Sequence, residues 1–150
     1  MNSFVGDYSC KLDDKGRVLF PAAFKKQWNG ALDRFILKKD IFENCLVMYT
    51  LEEWERQVDM LRKRLNPYDK EQSRFLRKFY SSICEIELDS TGRMQIPKKI
   101  VEEVGLKKEV VFIGVGDKIE LWDKVLHQSN DMSQEDFEAK VQKYLGGENE

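Results

Sequence analysis

A ten-residue segment occurs twice in this chain. The first copy, residues 12–21, is LDDKGRVLFP, and the second, residues 88–97, is LDSTGRMQIP. Leu, Asp, Gly, Arg and Pro occupy the same five offsets in both copies, and the residues between Arg and Pro keep an apolar, any, apolar pattern. Such a repeat indicates a duplicated structural unit, so two related halves are expected.

The centre of each copy predicts a tight turn. Gly16 and Gly92 can adopt the positive φ angle that such a turn requires. Asp13 and Asp89 lie where a carboxylate can accept hydrogen bonds from the amides of the turn. Each copy is therefore expected to form a corner between two strands.

The strand after each turn carries apolar residues at alternating positions. Because successive side chains of a strand point to opposite faces, Arg17 and Arg93 are predicted to leave the turn on the side away from the core. The apolar residues are Val18, Phe20, Met94 and Ile96.

The resemblance between the halves extends beyond the ten residues. Alternation before each turn predicts a half-buried strand, and Pro21 and Pro97 are predicted to occupy the first position of a short helix. Asn29 and Gly105 are predicted to cap the ends of these helices. Two strands then follow in each half, at residues 34–37 and 46–49 and at residues 110–113 and 118–122. Each half alone would bury a poor core, so the halves are expected to share one.

Three further helices are predicted outside the repeated units. Thr50 with Glu53 forms a capping box, and the helix that it begins ends before Pro67. Asp69 can cap a second helix, and Ser133 a third that carries Phe137, Val141, Tyr144 and Leu145 on one face. Apolar stripes of this kind are typical of core or subunit contacts.

The charge distribution is uneven although the net charge is only −2. Cations outnumber acids in residues 55–80, and acids outnumber cations in residues 123–150. The basic run fits a solvated helix face or an inter-subunit surface, with a DNA contact as the alternative. No apolar run approaches the roughly 18 residues of a membrane span, and the first residues lack the pattern of a secretory signal.

The sequence gives little support to an enzyme or a metal site. His127 is the single histidine and lies outside both motifs, so nucleophilic catalysis would have one candidate base. Cys10, Cys45 and Cys84 lack ligand spacing and are interpreted as reduced thiols. Residues 114–117, GVGD, fit a hairpin turn. No cofactor, metal or small-molecule substrate is therefore expected.

Taken together, these motifs resemble the MraZ family, whose members contain two SpoVT/AbrB-like units. The resemblance rests on the tandem Asp-x-x-Gly-Arg units, the IELW ending of the second unit at residues 119–122, residues 49–54 after the first, and Phe4 with Gly6. It implies an α+β fold of two double-split β-α-β units forming one pseudo-twofold, barrel-like core, with added helices. The expected boundaries are 5–54 and 81–123 for the repeats, 55–80 for a helical connector, and 124–150 for an acidic C-terminal helix and tail.

The resemblance also implies a function. It implies a cytoplasmic, nucleoid-associated regulator of the division and cell-wall gene cluster that binds repeated promoter boxes in double-stranded DNA as a ring-like homo-oligomer. The expected DNA-binding residues are Asp13, Lys15, Arg17, Asp89 and Arg93. Thr91 stands opposite Lys15 in the repeat, so the second unit is expected to contribute less charge. Lys25 stands where arginine is frequent in the family.

Two alternatives remain open at this point. Each Asp–Arg pair could simply be a surface ion pair that braces a turn. An antitoxin-like or scaffold protein that captures a protein partner through its C-terminal helix is the alternative from a different functional class.

Overall fold

The repeated sequence folds into a repeated order of elements. The structure, a computed structural model, describes residues 3–28 and 34–147. The first half contains β1 (Asp7–Lys11), β2 (Arg17–Leu19), α1 (Ala22–Gln27), β3 (Arg34–Lys39) and β4 (Leu46–Tyr49). The second contains β5 (Ile83–Glu87), β6 (Arg93–Gln95), α4 (Lys98–Val104), β7 (Glu109–Gly114) and β8 (Ile119–Asp123). The predicted order of strands and helix is thus confirmed in both halves.

The remaining helices lie between and after the halves. They are α2 (Leu51–Arg64), α3 (Lys70–Phe79), α5 (Lys124–Ser129) and α6 (Gln134–Leu145). The side chains of Thr50, Asp69 and Ser133 accept hydrogen bonds from the first turns of α2, α3 and α6. All three caps agree with the sequence prediction. Within the described ranges, no helix is both long enough and apolar enough to cross a membrane.

The strands of the two halves are interleaved. In the described residues, six antiparallel strands follow the order β1-β7-β8-β4-β3-β5, and β2 pairs with β6 in a separate ribbon. The first strand of each half therefore pairs with the third strand of the other half. This establishes a duplicated α+β fold, while its barrel-like, pseudo-twofold geometry and the domain boundaries stay predictions.

One core is shared by both halves, as expected. Phe20 packs with its ring centroid 5.9 Å from Phe35 and 6.0 Å from Phe112, so rings from the two halves touch. Phe24 and Val104, from the helices α1 and α4, are also buried. Burying one such side chain stabilises the fold by about 1.5–3 kcal/mol. Neither half alone is long enough to bury as many of them as the shared core does.

The helix ends differ from the prediction in one respect. Pro21 and Pro97 are not the first helical residues but the N-cap residues, one position earlier. Their ψ angles of 130° and 138° are extended, so the helical conformation begins only at the following residue. Gly105 caps α4 with φ 69°, as predicted, whereas the matching prediction for Asn29 lies outside the described residues.

The predicted apolar stripes of α2 and α6 differ in how far they are buried by the rest of the chain. In α2, Val58 is buried, and Trp54 stacks on Phe79 of α3 with ring centroids 6.1 Å apart. By contrast, α6 buries none of its residues, all of which are described. Phe137 and Tyr144 of its stripe are 53% and 67% exposed, so the α6 stripe is not part of the core of this chain.

Candidate nucleic-acid interface

The first corner, residues 12–17, is a turn closed by one aspartate. Asp13 Oδ1 accepts hydrogen bonds from the amides of Lys15 (2.9 Å) and Arg17 (2.8 Å), while Oδ2 accepts one from Arg17 Nε (2.7 Å). Gly16 completes the turn with φ 79°. The amide of Arg17 is the main cause that lowers the pKa of Asp13, which keeps this carboxyl ionised.

The second corner, residues 88–93, has the same plan with one extra donor. Asp89 Oδ1 accepts bonds from the amides of Thr91 and Arg93, both at 2.9 Å, and from the Thr91 hydroxyl at 2.7 Å. Arg93 Nε lies farther from the carboxylate, 3.3 Å from Oδ2, and 3.1 Å from Thr91 Oγ1. The bond from the Arg93 amide, followed by that from the Thr91 hydroxyl, lowers the pKa of Asp89 to about 2.

Both corners open onto one face of the β2–β6 ribbon. In its register Arg17 pairs with Gln95 and Leu19 with Arg93, while the pair between them, Val18 and Met94, is buried. Because side chains of cross-strand partners point to the same face, the other four lie together on the outer side. We call Arg17, Leu19, Arg93 and Gln95 the ribbon face. The prediction that both arginines point away from the core is confirmed, since their side chains are 35% and 40% exposed.

Each corner is held by residues of the other half. Gln95 Nε2 donates to the carbonyl of Lys15 at 3.0 Å, and the Ile96 amide donates to the carbonyl of Gly16 at 2.8 Å. At the second corner, the Phe20 amide donates to the carbonyl of Gly92 at 3.0 Å. The two corners and the ribbon thus form one connected unit.

The second corner receives a cation that sequence reasoning did not assign to it. A Cβ built on Gly92 would lie 2.5 Å from Lys25 Nζ, so the ammonium of this α1 residue sits over the turn. At the first corner, Lys98 of α4 borders a cavity of about 160 Å³ together with Asp14 and Lys15. Each helix therefore brings a lysine to the corner of the opposite half. The sequence showed that Lys25 departs from the family pattern, but it did not show that Lys25 lies beside Gly92.

One cluster of acidic and thiol side chains outside the corners has the spacing of a metal site. The carboxylates of Asp40 and Glu120 and the thiol of Cys45 lie within 4.8 Å of one another, the one such group among the described residues. Asp40 already accepts bonds from two amides of the loop that follows it, and Glu120 accepts one from the Trp122 ring. Burial, with Glu120 nearby, raises the pKa of the Cys45 thiol, whereas metal binding requires the thiolate. The group therefore supports no metal assignment.

The basic run and His127 also find ordinary local partners. Arg56, Arg62 and Arg74 each pair with an acidic residue three positions earlier in the same helix. His127 packs against Trp122, with ring centroids 5.4 Å apart. These contacts favour a solvated helix face for the basic run.

Comparisons with known proteins agree with the duplicated fold. The profile of the family described as "MraZ protein, putative antitoxin-like" matches residues 3–78 and again residues 79–146. A protein named transcriptional regulator MraZ from Bacteroides fragilis is 38% identical over 146 residues, which cover 97% of this chain and 92% of that protein.

Two further relatives carry the same name. The protein from Flavobacterium psychrophilum is 37% identical over 152 residues, covering 100% of this chain and 96% of its own length. The protein from Acetivibrio thermocellus is 39% identical over 142 residues, covering 92% and 96%. Two tandem matches that span nearly the whole chain, together with relatives of this identity, mean that the chain belongs to the MraZ family.

Proposed function

We propose that this protein is a sequence-specific DNA-binding transcriptional regulator that contacts DNA through its two corners. The observation that carries the proposal is the ribbon face, where Arg17 and Arg93 are diagonal neighbours with partly exposed side chains. Diagonal neighbours on such a ribbon are about 7–8 Å apart. The name of the relatives, transcriptional regulator MraZ, supports the same function.

The chemistry of the corners suits DNA. A guanidinium offers a planar fork that matches phosphate oxygens or the O6 and N7 atoms of guanine. Asp13 and Asp89 engage only the Nε of their arginines, which leaves the terminal nitrogens of both forks for DNA. Lys15 at the first corner is the proposed phosphate contact.

Assembly is part of the proposed mechanism. Two arginines and a few lysines neutralise few phosphates, which gives weak and salt-sensitive binding. A ring-like homo-oligomer that presents many corners to repeated promoter boxes gains affinity through effective concentration. The exposed stripe of α6 supports such assembly, because a helix of this length is marginal in water without a packing partner.

The wider setting follows from the same proposal. The protein would act in the cytoplasm, associated with the nucleoid, on promoters of the division and cell-wall gene cluster. It would work without catalysis and without a cofactor, since both corners are built for ionic contacts and hydrogen bonds.

A gel-shift titration of the variant that combines Arg17→Ala and Arg93→Ala tests the proposal. The double variant should keep its fold and assembly but lose specific DNA retention at moderate salt. The control combines Arg62→Ala and Arg74→Ala, which removes the same charge from the basic run. A corner variant that binds as well as the parent would refute the proposed role, and footprinting upstream of the chain's own gene would locate the boxes.

Light scattering tests assembly separately. Phe137→Glu places a charge in the exposed stripe of α6 and should lower the molecular mass in solution. Ala139→Glu, on the opposite side of the same helix, is the control and should leave the mass unchanged. A parent protein that is monomeric at micromolar concentration would remove the avidity argument.

A second candidate function is the capture of a protein partner through α6, as in an antitoxin-like or scaffold protein. The exposure of Phe137 and Tyr144 favours it as well. The same scattering experiment separates the two, because a parent monomer with a folded, exposed α6 would point to a partner other than itself.

A further inference from the structure

We propose that Leu19 and Gln95, the uncharged members of the ribbon face, discriminate between bases, with Leu19 reading a thymine methyl group and Gln95 reading an adenine edge. This inference rests on the proposed function and deepens it. The two residues occupy the same place in the two copies of the repeat. The repeat therefore offers an apolar side chain at one side of the ribbon and an amide at the other.

The position of Leu19 ties it to the second corner. It is 55% exposed and lies directly opposite Arg93 in the ribbon register. Its Cδ1 would lie 3.8 Å from a Cβ built on Gly92, so it borders the turn itself. A single exposed leucine is ordinary on a protein surface, but DNA that touches Arg93 in a groove also meets this one. The thymine methyl is the apolar feature that the major groove offers.

The position of Gln95 ties it to the first corner. It is exposed and lies opposite Arg17. Its Nε2 donates one hydrogen to the carbonyl of Lys15 at 3.0 Å, which fixes the orientation of the amide. The second amide hydrogen and Oε1 then remain for the N7 and N6 groups of adenine, the bidentate pair that glutamine forms with this base.

The dimensions of the ribbon fit the groove. The major groove, about 12 Å wide, admits a two-stranded β-ribbon, and β2 and β6 contain three residues each. The diagonals of the ribbon face are about 7–8 Å long, which corresponds to roughly two base steps of about 3.4 Å. The arginines hold the backbone or guanines, while Leu19 and Gln95 read the bases beside them.

Because Leu19 and Gln95 differ, the two sides of one bound site are predicted to differ as well. A ribbon with identical residues at these positions would favour an inverted repeat. This ribbon instead favours thymine at the second-corner side and adenine at the first-corner side. The recognised box is therefore expected to be directional.

The test begins with selection by the full-length protein from a random-sequence duplex library. The enriched duplex is resynthesised with deoxyuridine replacing each thymine in turn, and with 7-deazaadenine replacing each adenine in turn. One deoxyuridine position should weaken binding about fourfold, the value of one buried methyl-sized group. One 7-deazaadenine position should weaken it about fivefold, because it removes one of the two hydrogen bonds of the bidentate pair.

Variants assign each position to its side chain. Leu19→Ala should erase the deoxyuridine effect alone, and Gln95→Ala the 7-deazaadenine effect alone. Val115→Ala and Gln128→Ala remove similar exposed side chains elsewhere and should change neither. Gln95→Ala also removes the bond to Lys15, so a second variant combines Leu19→Gln with Gln95→Leu and should select the box in the opposite direction.

The outcomes separate this inference from the proposed function. If the parent enriches no sequence, both fail. If it enriches a box, but no single replacement weakens binding more than about twofold or the Leu19 and Gln95 variants select the same box as the parent, this inference alone is overturned.

Discussion

The two corners share a plan but differ in what holds them. At the first corner the ion pair is short, with 2.7 Å between Arg17 Nε and Asp13 Oδ2, and Gly16 lies against the backbone carbonyl of Ile96, the residue after β6. At the second, the ion pair is 3.3 Å long, a Thr91 hydroxyl intervenes, and a flexible lysine covers the glycine. In both corners the aspartate accepts hydrogen bonds from the same two turn amides, but the residues that surround the two turns differ. Variants at matching positions of the two corners are therefore expected to behave differently.

The glycines should separate the corners most strongly. In Gly16→Ala the new Cβ would lie 2.5 Å from the carbonyl oxygen of Ile96, whereas in Gly92→Ala it would meet the movable ammonium of Lys25. Both also carry the cost of a positive φ, about 1–2 kcal/mol. We expect Gly16→Ala to lower the free energy of unfolding by about 2–4 kcal/mol and Gly92→Ala by about 1–2 kcal/mol, measured by urea denaturation.

Gly105→Ala isolates the cost of the φ angle. Its φ is 69° and a Cβ there would meet nothing within 4 Å. Gly105→Ala should therefore lower the free energy of unfolding by as much as Gly92→Ala does. Equal losses for all three variants would mean that the backbone contact at the first corner has no effect on stability.

The lysine over the second corner should matter for DNA and not for folding. We expect Lys25→Gln to weaken binding to all sequences alike and to reduce the slope of log affinity against log salt by about one. Lys26→Gln, an exposed neighbour in the same helix, is the control. Equal salt slopes for the two variants would exclude Lys25 from the contact surface and leave the second corner with less charge, as the sequence suggested.

The smallest expected difference concerns titration. The pKa of Asp89 is lowered from 3.8 to about 2, so its contribution to stability is complete above the unfolded value and is lost as the pH falls through 2. Thr91→Val removes one donor and should move the pKa of Asp89 upwards towards the unfolded value, so that its contribution to stability is smaller and the loss is complete at a higher pH. NMR titration of the carboxyl carbon measures the shift, with Ser90→Ala as the control; an unchanged midpoint would contradict a role for the hydroxyl.

Much of the fold could be predicted because the same turn-forming residues occur at matching positions in both copies of the repeat. Gly16 with Gly92, and Asp13 with Asp89, mark turns through backbone requirements that depend on near neighbours alone. The caps at Thr50, Asp69 and Ser133 were predictable for the same reason. The position of Pro21 differs by one residue from the prediction, because proline is most frequent at the first helical position whereas its ψ of 130° here makes it the N-cap residue.

What the sequence could not reveal depends on contacts between the halves. Lys25 of the first half lies over Gly92 of the second, and Gln95 of the second half meets Lys15 of the first through the β2–β6 register. Nothing in the order of residues along one copy encodes these neighbours. The roles of the corner residues in DNA binding stay predictions.

The exchange of strands between the halves has a consequence for how the chain folds. Asp7 in β1 pairs with Ile113 in β7, so the first strand to be synthesised can close its ladder only after residue 113 of the 150 has been made. Such non-local pairing slows folding and leaves strand edges open in the meantime. During synthesis the sheet of the first half therefore stays incomplete until β7 of the second half is available to pair with β1.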